Sequence, residues 1–168
     1  MKRTSLASWP CSIARTMDLI GDWWTPLVLR EAFAGIQRFD DFQLSLGLAR
    51  NTLTARLQRL VDAGLLEREP YQHNPVRYDY VLTEQGRDFY PVMAAIMAWG
   101  DRWLADESGP PVLTRHDTCG HPTHAVVVCE RCGKPLTSDT VTRELGPGFP
   151  EHLRGRADVE ARFPSSLA

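Results

Sequence analysis

Three of the chain's four cysteines and three of its five histidines crowd into residues 116–135, HDTCGHPTHAVVVCERCGKP. The two ends of this stretch nearly repeat: His116-x-x-Cys119-Gly120 opens it and Cys129-x-x-Cys132-Gly133 closes it. Two ligands three residues apart, with glycine after the second, are the pattern of a zinc knuckle. The glycine's conformational freedom lets backbone N–H groups turn toward the sulfur. His116, Cys119, Cys129 and Cys132 would together close a Cys3His tetrahedral shell, a structural zinc with no position left for water. The intervening AVVV (125–128) reads as a strand, and His121 and His124 stay outside the shell. The same residues admit a metal-free Cys129–Cys132 redox pair, a metal-free remnant of a ribbon, or a catalytic zinc of the deaminase kind. The last pairs His-x-Glu with Pro-Cys-x-x-Cys, whereas His124 is followed here by Ala125 and Val126. Structural zinc is the favoured reading. It would staple a tail of under 60 residues that has too little core to fold alone.

A second set of residues is suited to an anionic polymer. The net charge is only −2, but Arg50, Arg56 and Arg59 fall within ten residues that contain no acid. Nearly all the positive charge is arginine, the side chain suited to bidentate phosphate and guanine contacts. The same segment, ARNTLTARLQRLVDAG, is the cleanest helix in the chain. Leu53, Leu57, Leu60 and Gly64 share one face, which turns Asn51, Thr54, Ala55 and Gln58 outward, and Gly64 is placed to cap the end.

Other elements must position these residues. At 168 residues, 43% hydrophobic and 24% charged, the chain fits one globular domain with an appendage. No apolar run approaches the roughly 18 residues of a membrane span. The start, MKRTSLASWPCS, has no apolar centre for a signal peptide. A cytoplasmic protein is expected, where four cysteines point to metal or redox chemistry rather than disulfides.

CSIARTMDLI spaces Ile13, Met17 and Ile20 as a helix stopped by Gly21. DWWTPLVLREAFAG gives a second helix with Pro26 in its first turn and Gly35 at its end. RFDDFQLSLG gives a third, with Phe39, Phe42 and Leu46 on one side. After Gly64 the period changes: LLEREPY and VRYDYVLT flank the turn QHNP, which predicts a hairpin. TEQGRDFYPVMAAIMAWGDRWLAD predicts one long helix from Thr83. Its stripe of Phe89, Met93, Ile96, Gly100 and Trp103 is too wide for a single small core to cover. Residues 106–115 read as a linker around Gly109, Pro110 and Pro111. The stretch from GPGFPEHL onward reads as loosely ordered.

This order of elements, together with Cys11, LIGDWWTPLVLREAFAG, RFDDFQ, NTLTARLQRLVDAGLLER, YQHNPVRYDYVLTEQGRDFYPV and WGDRW, resembles the HxlR-type branch of the MarR-like bacterial transcriptional regulators. The resemblance covers residues 11–104, a little over half of the chain. It implies a mainly α fold, a winged helix-turn-helix with a small β-hairpin wing and a long C-terminal dimerisation helix. A small β-rich ribbon would follow. The expected domains are therefore 11–109 for DNA binding and dimerisation, 110–145 for the zinc-ribbon-like extension, and 146–168 for a flexible tail.

In a helix-turn-helix the second helix enters the major groove, which here is the helix 50–63. Asn51 and Gln58 could pair with adenine, and Thr54 and Ala55 could meet thymine methyls. Arg50, Arg56 and Arg59 flank that face, placed for phosphates, and Arg77 lies near the wing tip. The resemblance also implies a homodimer formed through the long helix and the N-terminal one, reading a palindromic operator. In some relatives a cysteine placed like Cys11 senses oxidants or electrophiles. A small residue buried at the dimer contact is the equal alternative, which leaves a small-molecule or redox effector open and unidentified. A winged-helix adaptor that binds proteins rather than DNA is the rival function. An enzyme is not expected, because the chain has no Gly-rich phosphate loop, no triad-like arrangement and no plausible pair of carboxylates.

Overall fold

The computed structural model describes residues 4–163. The basic start at residues 1–3 and the end of the expected loose tail, 164–168, lie outside these. The chain divides into two compact units, one running from Leu19 to Val126 and the other joining the residues up to Asp18 with those from Val127 onward.

The larger unit is built on α2 (Thr25–Phe33), α3 (Phe39–Leu46) and α4 (Arg50–Asp62), entered from the last turn of α1 (Ser12–Ile20). Each helix contributes the residues its period put on one side. Ile20, Val28, Leu29, Phe42, Leu53, Leu57 and Leu60 are all buried, and Leu65 and Leu66 close the core where α4 gives way to the wing. Truncating any of these leucines to alanine would cost about 2–5 kcal/mol, because the close-packed surroundings cannot collapse onto the gap. Gly64 follows the end of α4 with φ +75°, the left-handed geometry that turns the chain into the first strand.

That strand, β1 (Leu66–His73), pairs antiparallel with β2 (Val76–Leu82) to form the wing, with Leu66 opposite Leu82 and Gln72 opposite Arg77. The register slips between Pro70 and Gln72, where proline has no N–H to give the ladder, and Tyr71 sits at the irregularity. On its other edge β2 meets the loop before α3. The Tyr80 N–H donates to the Gln37 carbonyl at 2.8 Å, and Arg38 bridges to Asp79.

The single long helix expected from Thr83 onward is two helices, α5 (Glu84–Asp88) and α6 (Tyr90–Trp103). The break falls at Phe89. Pro91 has no N–H for the carbonyl four residues back, and its ring crowds that carbonyl, so a new helix starts with proline in its first turn. The face of α6 also differs from expectation. Phe89 packs on the core and Met93 is half-buried, while Val92, Ile96, Trp99 and Trp103 form the exposed stripe. No residue of α6 is fully buried.

After the linker, β3 (Thr114–His116) and β4 (His121–Thr123) make a short hairpin that belongs to the larger unit. AVVV is not the expected strand. Val126, Val127 and Val128 are exposed, and Val128 makes an isolated bridge to Pro135. The stretch expected to be loose carries two one-turn helices, α7 (Glu151–Arg154) and α8 (Ala157–Glu160). Val159 is buried there, and the rings of Phe149 and Phe163 stand 6.4 Å apart. No helix among the described residues is long and apolar enough to cross a membrane.

Candidate nucleic-acid interface

The turn between α3 and α4 is held from both sides. Gly47 takes φ +63° at the end of α3, and the Gln43 side-chain amide donates to the Leu48 carbonyl at 3.2 Å. Glu31 on α2, almost fully buried, accepts from the Arg30 guanidinium and from the Ser45 hydroxyl at 2.8 Å, fastening α3 to α2. With Leu53, Leu57 and Leu60 fixed in the core, the opposite side of α4 is set.

Asn51, Thr54 and Ala55 are exposed on that side, as the period requires. The Thr54 hydroxyl donates back to the Arg50 carbonyl at 2.9 Å, so that hydroxyl is engaged within the helix. Gln58 is half-buried and donates to Asp62 at 2.7 Å, so reaching a base would require breaking that bond. Arg50 is exposed, its guanidinium carbon 4.8 Å from the centre of the Phe39 ring. Arg59 is half-buried. Arg77 is exposed on β2 near the wing turn.

Arg56 has a different setting. Its Nε lies 2.8 Å from Asp22 Oδ1, and the side chain retains only 27% exposure. The contact is ionic rather than a well-aligned hydrogen bond, since Nε has no partner in hydrogen-bonding geometry. Asp22 is itself the anchor of α2. It accepts from the Trp24 and Thr25 N–H groups at 3.0 Å each and from the Thr25 hydroxyl at 2.5 Å. Burial pushes the Asp22 carboxyl up, but the Thr25 and Trp24 bonds and the Arg56 charge outweigh it and hold the group below the ordinary 3.8. Asp22 therefore ties the start of α2 to the middle of α4. Sequence reading passed over it, although an aspartate just before Thr25-Pro26 is a helix-start signal.

Arg38, Tyr71 and Tyr78 were also missed. They meet Arg50, Thr54 and Arg77 around an open cleft of about 500 Å³ between α4 and the wing. No local pattern marks them, because only the meeting of the Arg38 loop with β2 brings them together.

The two expected knuckles form as turns, each in its own unit. In the first, the Cys119 and Gly120 N–H groups donate to the His116 carbonyl at 3.2 and 2.7 Å, Gly120 has φ +70°, and Cys119 Sγ lies 3.5 Å from His116 Nδ1. In the second, Gly133, at φ +69°, donates to the Cys129 carbonyl at 2.8 Å. The backbone N–H groups of Cys132 and Arg131, and then the Cys132 thiol, hold the Cys129 thiol below its ordinary value. That is the N–H-to-sulfur arrangement a knuckle needs. Among the described residues no three histidines, cysteines or acids gather as a metal-holding group. Cys11 is exposed at the start of α1, where the Ala14 N–H points to its sulfur at 3.5 Å.

The chain is similar to known proteins in sequence and in fold. The model of the HxlR-like helix-turn-helix family matches residues 19–108. An uncharacterized HTH-type transcriptional regulator of Mycobacterium tuberculosis (strain ATCC 25618 / H37Rv) is 44% identical over 142 residues, 84% of this chain and 90% of that protein. The crystal structure of PA1607, a candidate transcription factor, is similar with a TM-score of 0.75 at 35% identity, covering 84% of this chain and 99% of that one. The redox regulator HypR in its oxidized form is similar with a TM-score of 0.50 at 30% identity, covering 55% of this chain and 96% of that one.

Proposed function

The chain belongs to the HxlR-like helix-turn-helix family of DNA-binding transcriptional regulators, and from that premise we propose that it works as a cytoplasmic homodimer reading a palindromic operator. The observation that carries the reading is α4 itself. Three leucines lock one side into the core, and the other side presents Asn51, Thr54 and Ala55 with Arg50 at its start. In the major groove Asn51 would pair with adenine, while Arg50, Arg59 and Arg77 would meet phosphates and set the register. Arg56 enters this proposal mainly as the residue that seats α4, with Asp22 as its partner. Gln58 would read a base on releasing Asp62.

The exposed stripe of α6 supports the dimer. Val92, Ile96, Trp99 and Trp103 are each 41–62% exposed, and apolar stripes of that size mark interfaces. A two-fold axis through α6 would carry two copies of α4 to successive major grooves, about 34 Å apart.

Binding of a duplex from upstream of the chain's own gene, measured against salt, tests the reading. A DNA regulator loses affinity steeply as salt rises, because counterions are released at each neutralised phosphate. The rival protein adaptor would show no such binding.

Two further parts of the proposal concern cysteines. Zinc held by His116, Cys119, Cys129 and Cys132 is supported by the form of each turn and by the doubled spacing. When bound, the metal would cross-link the tail, and these four side chains would supply the closed shell of a structural site. Elemental analysis of freshly reduced protein should find one zinc per chain, and removing it should expose residues 112–140 to protease while DNA binding survives. Well under one metal per chain would contradict this part. Cys11 is proposed as a thiol through which an oxidant weakens DNA binding, supported by its exposure and its place at a helix start.

A further inference from the structure

The cleft between α4 and the wing is built for an anion. Three arginines line it, Arg38, Arg50 and Arg77, against one carboxylate on its wall, Asp40. Two of these arginines lie against rings. The guanidinium carbon of Arg38 stands 4.8 Å from the centre of Tyr71, and that of Arg50 stands 4.8 Å from the centre of Phe39. Stacking of this kind restricts where the side chain goes while leaving the edge of the guanidinium open, and that edge is the fork that matches two oxygens of a phosphate. A third pair, Arg68 over Tyr78 at 5.5 Å, continues the pattern along the wing.

Arg38 has a second neighbour. Its Nε is 3.7 Å from Asp79 Oδ1, and its side chain is 60% exposed. A long ion pair between a solvated arginine and a carboxylate is weak, so a phosphate arriving at the open edge can exchange with it. The position of the cleft decides which anion arrives. With α4 in a major groove and the wing at the adjoining minor groove, the part of the protein between them faces the sugar–phosphate strand that separates the two grooves.

We propose that the cleft seats a phosphodiester of that strand, with Arg38, outside the recognition helix, as the second arginine beside Arg50, and with Tyr71 as its positioning residue. This rests on the DNA-binding reading above. It adds a contact from the loop before α3 that fixes the angle between α4 and the wing without reading sequence.

The test is a salt titration of the full chain on a short duplex of arbitrary sequence, comparing wild type with Arg38→Gln, Arg38→Lys and Tyr71→Leu. Melting curves would establish that each variant is folded. Arg38→Gln should reduce the slope of log K against log salt by about 0.9, the value for one phosphate contact, and should weaken binding to all sequences alike. Arg38→Lys should keep the wild-type slope, because the charge remains, and Tyr71→Leu should lower affinity at an unchanged slope. A folded Arg38→Gln protein with the wild-type slope, alongside an Arg50→Gln protein whose slope falls, would overturn the cleft and leave the DNA-binding reading intact. Wild type that binds no duplex in a salt-dependent way would overturn both.

Discussion

Arg50 and Arg56 look alike in sequence, yet their surroundings differ. Arg50 is exposed over Phe39, while Arg56 meets the carboxylate that caps α2. An arginine on the recognition helix is therefore no evidence of a phosphate contact until its partners are known. The Asp22–Arg56 pair makes a pH-dependent prediction. The Asp22 carboxyl is held below its ordinary 3.8 in the folded chain. Its contribution is then fully present above the unfolded value of about 3.9 and is lost as pH falls through the lower folded value. Asp22→Asn keeps an acceptor for the Trp24 and Thr25 N–H groups but loses the charge facing Arg56. We expect it to lower stability by about 1 kcal/mol at neutral pH, in the range of an altered helix cap. The gap from wild type should hold constant down to about pH 5 and close below about pH 4. Chemical denaturation of both proteins across that range checks it. A gap that widened toward acid would show that Asp22 is not the charged anchor of α4.

At the scale of elements, the joint between α4, the wing and α5 is tightly constrained. The Thr83 hydroxyl donates to the Gly64 carbonyl at 2.5 Å and accepts the Gly86 N–H at 3.0 Å. A Cβ built on Gly86 would stand 2.1 Å from the Leu65 carbonyl oxygen. Backbone, not a flexible side-chain end, blocks it. Gly86→Ala should accordingly destabilise the protein by about 1–3 kcal/mol, the usual cost of overpacking. A variant as stable as wild type would show that the joint yields easily. The sequence carried no hint of this contact, although Thr83 was legible as a helix start. Legibility followed the range of the interaction. Leu53, Leu57 and Leu60 announce their shared face because an α-helix repeats every 3.6 residues, and all three are buried. The wing announces itself by its change of period and its turn residues. Pro91 was visible too, but the apolar stripe continuing past it suggested one helix where there are two. The partnership of Arg38 with Tyr71 and Asp79 could not be read at all, since it depends on β2 lying beside the loop before α3.

On the scale of the whole molecule, the same α6 face that no core covers is what a two-fold partner would bury. Ile96→Glu should put a charge in the middle of that seam and give a species of the 19.0 kDa chain mass in sedimentation, where wild type should run at twice that mass. A wild-type monomer at micromolar concentration would remove the dimer from the account. In the proposed dimer symmetry would connect association to DNA: two copies of α4 would call for a palindromic operator, with the spacing of its halves set by the dimer rather than by either copy alone. Selection of bound fragments from the host's genomic DNA, carried out with the full chain in parallel with Asn51→Ala, tests this most directly. Wild type should enrich fragments sharing two inverted half-sites about one helical turn apart, or a multiple of that, and Asn51→Ala should lose the shared motif while still retaining bulk DNA at low salt. No enrichment by wild type at any salt concentration, or the same motif recovered by Asn51→Ala, would contradict α4 as the element that reads DNA.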